Sequence, residues 1–151
     1  MERHAMAMKV NSGKMNEYRR NLGEIWNNLT DFLDRNNIRN FSIWNAEDLI
    51  FIYCESDDGL KLSEIETEAV KEMAGKFDGT FTWISTPGEN MRLMYEDFGI
   101  VRENKELIRH RMFMTKLKPG CEEEYKARHD VLAAQRGGVP DPGPDSNFSI
   151  W

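Results

Sequence analysis

Arg3-His4-Ala5-Met6-Ala7-Met8-Lys9-Val10 decides how this chain is read, because it returns as Arg109-His110-Arg111-Met112-Phe113-Met114-Thr115-Lys116-Leu117 with one residue added. Beyond it the two copies run without a gap at an offset of 107 residues. Gly13 matches Gly120, Glu17-Tyr18 matches Glu124-Tyr125, and Asn40-Phe41-Ser42-Ile43-Trp44 matches Asn147-Phe148-Ser149-Ile150-Trp151. Two ends and a middle in register are the mark of a repeated unit, and a repeat changes the assignment of the whole fold. The units span residues 3–44 and 109–151, and the second stops before the elements that follow in the first.

Each copy opens with alternating residues, the period of a strand. A turn follows, Asn11-Ser12-Gly13 in one and Lys118-Pro119-Gly120 in the other, and then a charged amphipathic helix. In the first copy Tyr18, Leu22, Ile25, Trp26, Leu29, Phe32 and Leu33 recur at steps of three and four, which gives one apolar helix face. Asn36-Asn37 ends that helix, and Phe41–Trp44 begins a second strand. The short connection Asn45-Ala46-Glu47-Asp48 leads into a third strand, Leu49–Cys54. A second helix is expected over roughly 60–77, with Gly79 at its far side. Phe81-Thr82-Trp83-Ile84 reads as a short extra strand and Met91–Ile100 as the fourth main one. The order β-α-β-β-α-β is the ferredoxin-like split arrangement, an α+β fold.

The domain reading is a complete ferredoxin-like unit over 1–101, a charged linker over 102–108, and a partial β-α-β repeat over 109–151. In the repeat a helix from about 121 to 136 gives way to Gly137-Gly138-Val139-Pro140-Asp141-Pro142-Gly143-Pro144-Asp145, which cannot be helical. An unfinished sheet exposes edges, so 109–151 is expected to add to the first unit's sheet or to pair with another molecule.

Forty per cent apolar and thirty per cent charged residues suit a folded globular chain. A net charge of −6 argues against nucleic acid or an anionic membrane as partner. No run of 18 apolar residues is present, and the N-terminus lacks an apolar core of signal-peptide length, so a cytoplasmic location is expected. The two cysteines, Cys54 and Cys121, form no framework and no Cys-x-x-Cys pair, in keeping with reduced thiols.

The opening strand, the Tyr-bearing helix start (Glu124-Tyr125-Lys126-Ala127-Arg128-His129) and the Asn-Phe-Ser-Ile strand together resemble the L-rhamnose mutarotase family. That resemblance implies a ferredoxin-like unit that dimerises through its sheets, the dimeric α/β barrel. It implies interconversion of the α and β anomers of L-rhamnose, or a related 6-deoxy-hexose, with a helix-borne His as proton donor and a Tyr one turn before it. The partners implied are a monosaccharide and a second copy of the chain, or intramolecular pairing of the two repeats. Proton transfer alone is involved, so no cofactor is implied.

Only the second copy keeps both chemical groups, His129 as the catalytic residue and Tyr125 as a substrate contact. Residues four apart share a helix face, so both can reach one ligand. Imidazole titrates near neutrality and suits transfer to a ring oxygen or from an anomeric hydroxyl. The first copy keeps Tyr18 as the corresponding sugar contact but carries Leu22 at the catalytic position. The family's Tyr on the second strand is Phe41 and Phe148 here, and its paired tryptophans fall near Ala74-Gly75. These departures motivate an alternative, a catalytically inactive sugar-binding or oligomerisation module of the same fold.

The remaining candidates have plainer readings. His4 and His110 recur in register and suit strand-edge hydrogen bonding. Three histidines on three elements give no metal site. The methionines at strand spacing read as core or interface filler. Glu122-Glu123-Glu124 occupies the first turn of a helix, where the macrodipole favours it.

Overall fold

In the computed structural model the first residues form strand β1 (Glu2–Val10), followed by helix α1 (Met15–Arg35), strands β2 (Arg39–Ala46) and β3 (Leu49–Ser56), helix α2 (Glu68–Gly75) and strand β4 (Phe81–Trp83). Strand β5 (Tyr95–Gly99), helix α3 (Glu122–Arg136) and strand β6 (Ser146–Ile150) complete the order. The structure describes residues 2–57, 68–86, 89–99, 109–139 and 146–151. It divides into two compact units, Met1–Met91 and Arg92–Trp151. The expected linker at 102–108, the first part of the expected second helix and most of the Gly/Pro loop lie outside the described residues.

In the first unit the sheet order is β2-β3-β1-β4 with antiparallel neighbours throughout. This is the ferredoxin-like order, and the unit is a mixed α+β fold. Met8 lies opposite Ile50 on β3 and Trp83 on β4, so three strands contribute to one apolar face. Helix α1 covers that face. Tyr18 and Leu22 pack with Met8, Val10 and Ile50, and further along Leu29, Phe32 and Leu33 pack with Ile38, Phe41 and Cys54. Each large apolar side chain fully buried here contributes about 1.5–3 kcal/mol. Ile50, at 1% exposure, is the centre of that contribution.

The helix ends as its sequence dictates. Asn37 takes a left-handed φ of 54°, tolerable for Asn, and Ile38 N–H reaches back to the Leu33 carbonyl at 2.9 Å. The side chains of Leu33 and Ile38 are both buried and pack in one cluster, the apolar contact that accompanies this type of stop.

One expectation is corrected. The fourth strand of the sheet is Phe81–Trp83, the segment read as a short extra strand, and not 91–100. Beyond β4 the edge of β1 is occupied by the connection that follows: Ile84 N–H donates to the Ala7 carbonyl and Met91 N–H to the Ala5 carbonyl. The Asn90 side chain stands in for a peptide there, accepting from Ala5 N–H at 3.1 Å and donating to the Arg3 carbonyl at 3.3 Å. With that edge satisfied, β5 finds another partner.

In the second unit β5 pairs antiparallel with β6, Tyr95 opposite Ile150 and Asp97 opposite Phe148. The expected opening strand of the repeat, 109–117, forms no strand. In the first unit β1 is held by β3 and β4, whereas 109–117 pair with no strand among the described residues. A strand without a partner leaves its peptide groups to solvent.

Two backbone features recur at the 107-residue offset. Gly13 and Gly120 have φ of 75° and 79°, and Asn40 and Asn147 have 50° and 56°. Asn40 sits at the register shift between Arg39 and Ser42, where a bulge lets a strand residue leave the extended region. No helix among the described residues is long and apolar enough to cross a membrane.

Candidate active site

Helix α3 starts on three glutamates and stops at Gly137, whose left-handed φ of 59° suits a residue without a Cβ, with its N–H on the Ala134 carbonyl. Arg92 forms an exposed ion pair with Glu123 in its first turn and holds that carboxyl below its usual range, chiefly through the hydrogen bonds it donates. Tyr125 and His129 stand one turn apart on this helix, both half-buried, their ring centroids 4.4 Å apart. His129 Nδ1 lies 3.0 Å from the Tyr125 carbonyl oxygen. A carbonyl only accepts, so Nδ1 carries the hydrogen in this contact, and Nε2 is left to accept or give a proton.

Strand β5 supplies a second aromatic neighbour to the ring. Tyr95 lies against His129 with centroids 5.0 Å apart, so the imidazole has two tyrosines as ring neighbours. Phe148 of β6 packs on Tyr95 at 6.1 Å. The Tyr95 hydroxyl accepts from the Arg136 guanidinium at 2.9 Å and lies 3.3 Å from Asp97 Oδ2, and Arg136 also donates to that carboxylate. The structure thus brings the two residues expected of the second copy together and adds three that the sequence reading passed over. Tyr95 and Asp97 were read as strand residues. Arg136 passes for a cation complementing a helix C-terminus. The offset of 107 holds the missed signal, since it sets Arg136 on Leu29, a position on the sheet-facing side of α1.

Tyr18 has different surroundings. It is 4% exposed, packs in the core with Met8, Val10 and Ile50, and its ring tilts against Phe77 at 5.5 Å. Burial pushes its hydroxyl up to about 12. Leu22 packs against the same cluster. Around this tyrosine lies a packed apolar core. His4 lies on β1, an interior strand of the first sheet and not an edge as expected, and is buried with its ring hydrogen-bonded to Ser56 Oγ of β3 at 2.8 Å. Trp83 meets Phe81 edge-on at 5.4 Å as part of the core rim. Among the described residues no three His, Cys, Asp or Glu side chains are grouped to hold a metal ion.

A solved structure of L-rhamnose mutarotase from Formosa agariphila is 22% identical, covering 60% of this chain and 89% of its own, with a TM-score of 0.46. Comparison with curated protein sequences gave no match. The L-rhamnose mutarotase family model matches residues 3–86, a stretch that contains Tyr18 and Leu22 and ends before Tyr125 and His129. With more than half of its length matched by that family model, the chain belongs to the L-rhamnose mutarotase family, whose activity is interconversion of sugar anomers.

Proposed function

We propose that this chain interconverts the α and β anomers of L-rhamnose or a related 6-deoxy-hexose, with the chemistry placed at His129 and not at the family's position in the first unit. One observation carries this reading: His129 and Tyr125 share a half-buried helix face, with Nδ1 tied to a backbone carbonyl and Nε2 left for proton transfer. Ring opening needs a proton delivered to the ring oxygen and one removed from the anomeric hydroxyl. A neutral imidazole whose second nitrogen is fixed as a donor removes the hydroxyl proton at Nε2, and the resulting imidazolium returns it. Tyr125 offers a hydroxyl and an aromatic face to the sugar. The reaction moves protons only, so it asks for no cofactor. The partial repeat of the family unit over 109–151 is part of the proposal, supported by the matching residues and by the paired φ values at Gly13/Gly120 and Asn40/Asn147. So are the sugar as ligand, self-association through the sheet and a cytoplasmic location.

For the first unit a second reading is favoured by Leu22. A leucine in an apolar cluster transfers no proton, so this unit serves as a sugar-binding or oligomerisation module without catalysis. One experiment separates the two readings. Saturation transfer between the α and β anomeric proton resonances of L-rhamnose measures exchange directly. The unmodified chain is expected to accelerate exchange, and His129→Ala to return it to the uncatalysed rate, a general acid–base loss of about 10²-fold or more. Equal exchange in both would remove the catalytic assignment, and no acceleration in either would leave the module reading.

A further inference from the structure

The polar contacts behind Tyr95 are expensive for what they do structurally. The Asp97 side chain is only 12% exposed and that of Arg136 35%, so both charges are partly desolvated where they meet. Apolar residues of similar volume are commonly as stabilising as such a pair, or more so. The first unit uses leucines at the equivalent helix positions, Leu22 for His129 and Leu29 for Arg136, and packs both into apolar clusters. The second helix therefore carries two polar groups on the side where the first carries core. They are joined through one residue: Arg136 grips the Tyr95 hydroxyl, and the Tyr95 ring lies against His129.

We propose that Tyr95, anchored by Arg136 and Asp97, is a positioning residue that fixes the His129 imidazole in the orientation that bonds Nδ1 to the Tyr125 carbonyl. This rests on the reading of His129 as the proton-transfer group. Tyr125 also lies against the ring at 4.4 Å, and these two ring contacts with the Nδ1–carbonyl bond keep the hydrogen on Nδ1 and leave Nε2 for proton transfer. A neutral imidazole in water prefers the opposite tautomer, with the hydrogen on Nε2, which would block removal of a proton from the anomeric hydroxyl. The chain of contacts thus selects the reactive tautomer, in the way that outer-layer partners orient histidines elsewhere.

The test uses the full chain with ¹⁵N-labelled histidine at pH 8, where long-range ¹H–¹⁵N spectra distinguish the tautomers. The unmodified chain is expected to show His129 with its hydrogen on Nδ1. Tyr95→Leu and Arg136→Leu are expected to move the signal toward the Nε2 form. Anomeric exchange should fall about tenfold through kcat, with KM altered less than about twofold. Tyr95→Phe keeps the ring and removes only the anchored hydroxyl, and is expected to give a smaller shift of the same sign. It carries the test if the leucine variants do not fold. An unchanged tautomer in Tyr95→Phe and Arg136→Leu would overturn the proposal. If the unmodified chain shows no His129-dependent exchange, the mutarotase reading fails, while the tautomer shift still establishes the positioning role.

Discussion

Replacing Leu22 by His would give the first unit the residue that the family resemblance assigns to catalysis, and the structure forecasts that it damages the fold without adding activity. Leu22 lies on the sheet-facing side of α1 against the cluster of Met8, Val10, Tyr18 and Ile50. Full burial of a leucine stabilises by about 1.5–3 kcal/mol, and for this half-buried side chain roughly 1–2 kcal/mol of that is lost. An imidazole turned toward the same cluster meets the Tyr18 hydroxyl as the one polar side-chain group among Met8, Val10, Tyr18 and Ile50, and a ring nitrogen left unsatisfied costs about 1–3 kcal/mol more, less whatever water still reaches it. The expected loss is therefore about 2–4 kcal/mol. Burial also depresses the pKa of such an imidazole. The unfolded chain then binds the extra proton, and the deficit grows as pH falls below about 6.5. Urea unfolding followed by tryptophan fluorescence reads the loss, with Trp83 at the rim of the cluster as an internal reporter. Leu22→Met, which keeps an apolar side chain of similar volume, should cost less than about 1.5 kcal/mol. In a His129→Ala background the Leu22→His variant should show no anomeric exchange. Parent-like stability, or exchange restored in that background, would refute the packing argument, because either requires an open cavity beside Tyr18.

Two further outcomes follow from burial in the first unit. The His4 imidazole is held below its usual pKa by desolvation, which outweighs the opposing effects of Glu2 and the Asn90 hydrogen bond. The unfolded chain therefore takes up this proton first, and the stability it carries is present above about pH 6.5 and lost as pH falls toward the folded value, so His4→Gln should flatten the decline in stability between pH 7 and 5. Burial, with a smaller contribution from Glu55, pushes the Cys54 thiol up to about 12, whereas Cys121 is half-exposed. A brief iodoacetamide pulse on the native chain at pH 8 should label Cys121 well before Cys54, as peptide mass mapping would show; equal labelling would contradict the buried placement.

The elements that could be read from the sequence are those whose signal is local. Helix α1 showed its apolar face at steps of three and four, Asn36-Asn37 marked its end, and the helix of the second copy was expected at about 121 to 136 and is observed at Glu122–Arg136. The β2–β3 hairpin is equally local. Pairing across long separations was not legible. Phe81–Trp83 and Met91–Ile100 both alternate, and alternation states that a segment is extended without naming the strand beside it. What settled the matter was the hydrogen-bonding of the β1 edge by Ile84, Asn90 and Met91, which no periodicity records. The candidate site divides in the same way. Tyr125 and His129 belong to one helix and were visible as an i, i+4 pair. Tyr95 and Asp97 join them from a strand some thirty residues earlier, and only three-dimensional packing shows that this strand faces that helix.

The two helices that share a register show why a core and a reactive face are hard to keep on one stripe. Along α1 the positions Tyr18, Leu22, Ile25, Leu29 and Leu33 all pack inward, and Ile25 is 5% exposed. Along α3 the matching positions are Tyr125, His129, Leu132 and Arg136. Leu132 is 46% exposed, and no residue of the helix is fully buried. Each leucine exchanged for a polar group gives up about 1.5–3 kcal/mol of burial at a fully buried position. On the proposed function, what replaces it at position 129 is a ring that needs room on one side for the sugar. A stripe that is entirely apolar closes on its sheet and leaves no such room, which is the condition of Tyr18. A stripe with His129 and Arg136 stays partly open and must be held by directional contacts, which Tyr95 and Asp97 provide. Sites that break the local packing rule are where function is to be sought, since stability alone would have chosen the leucines. On the proposal that His129 transfers the proton, the first unit is built for stability and the second for chemistry, and two helix positions, Leu22 against His129 and Leu29 against Arg136, mark the division.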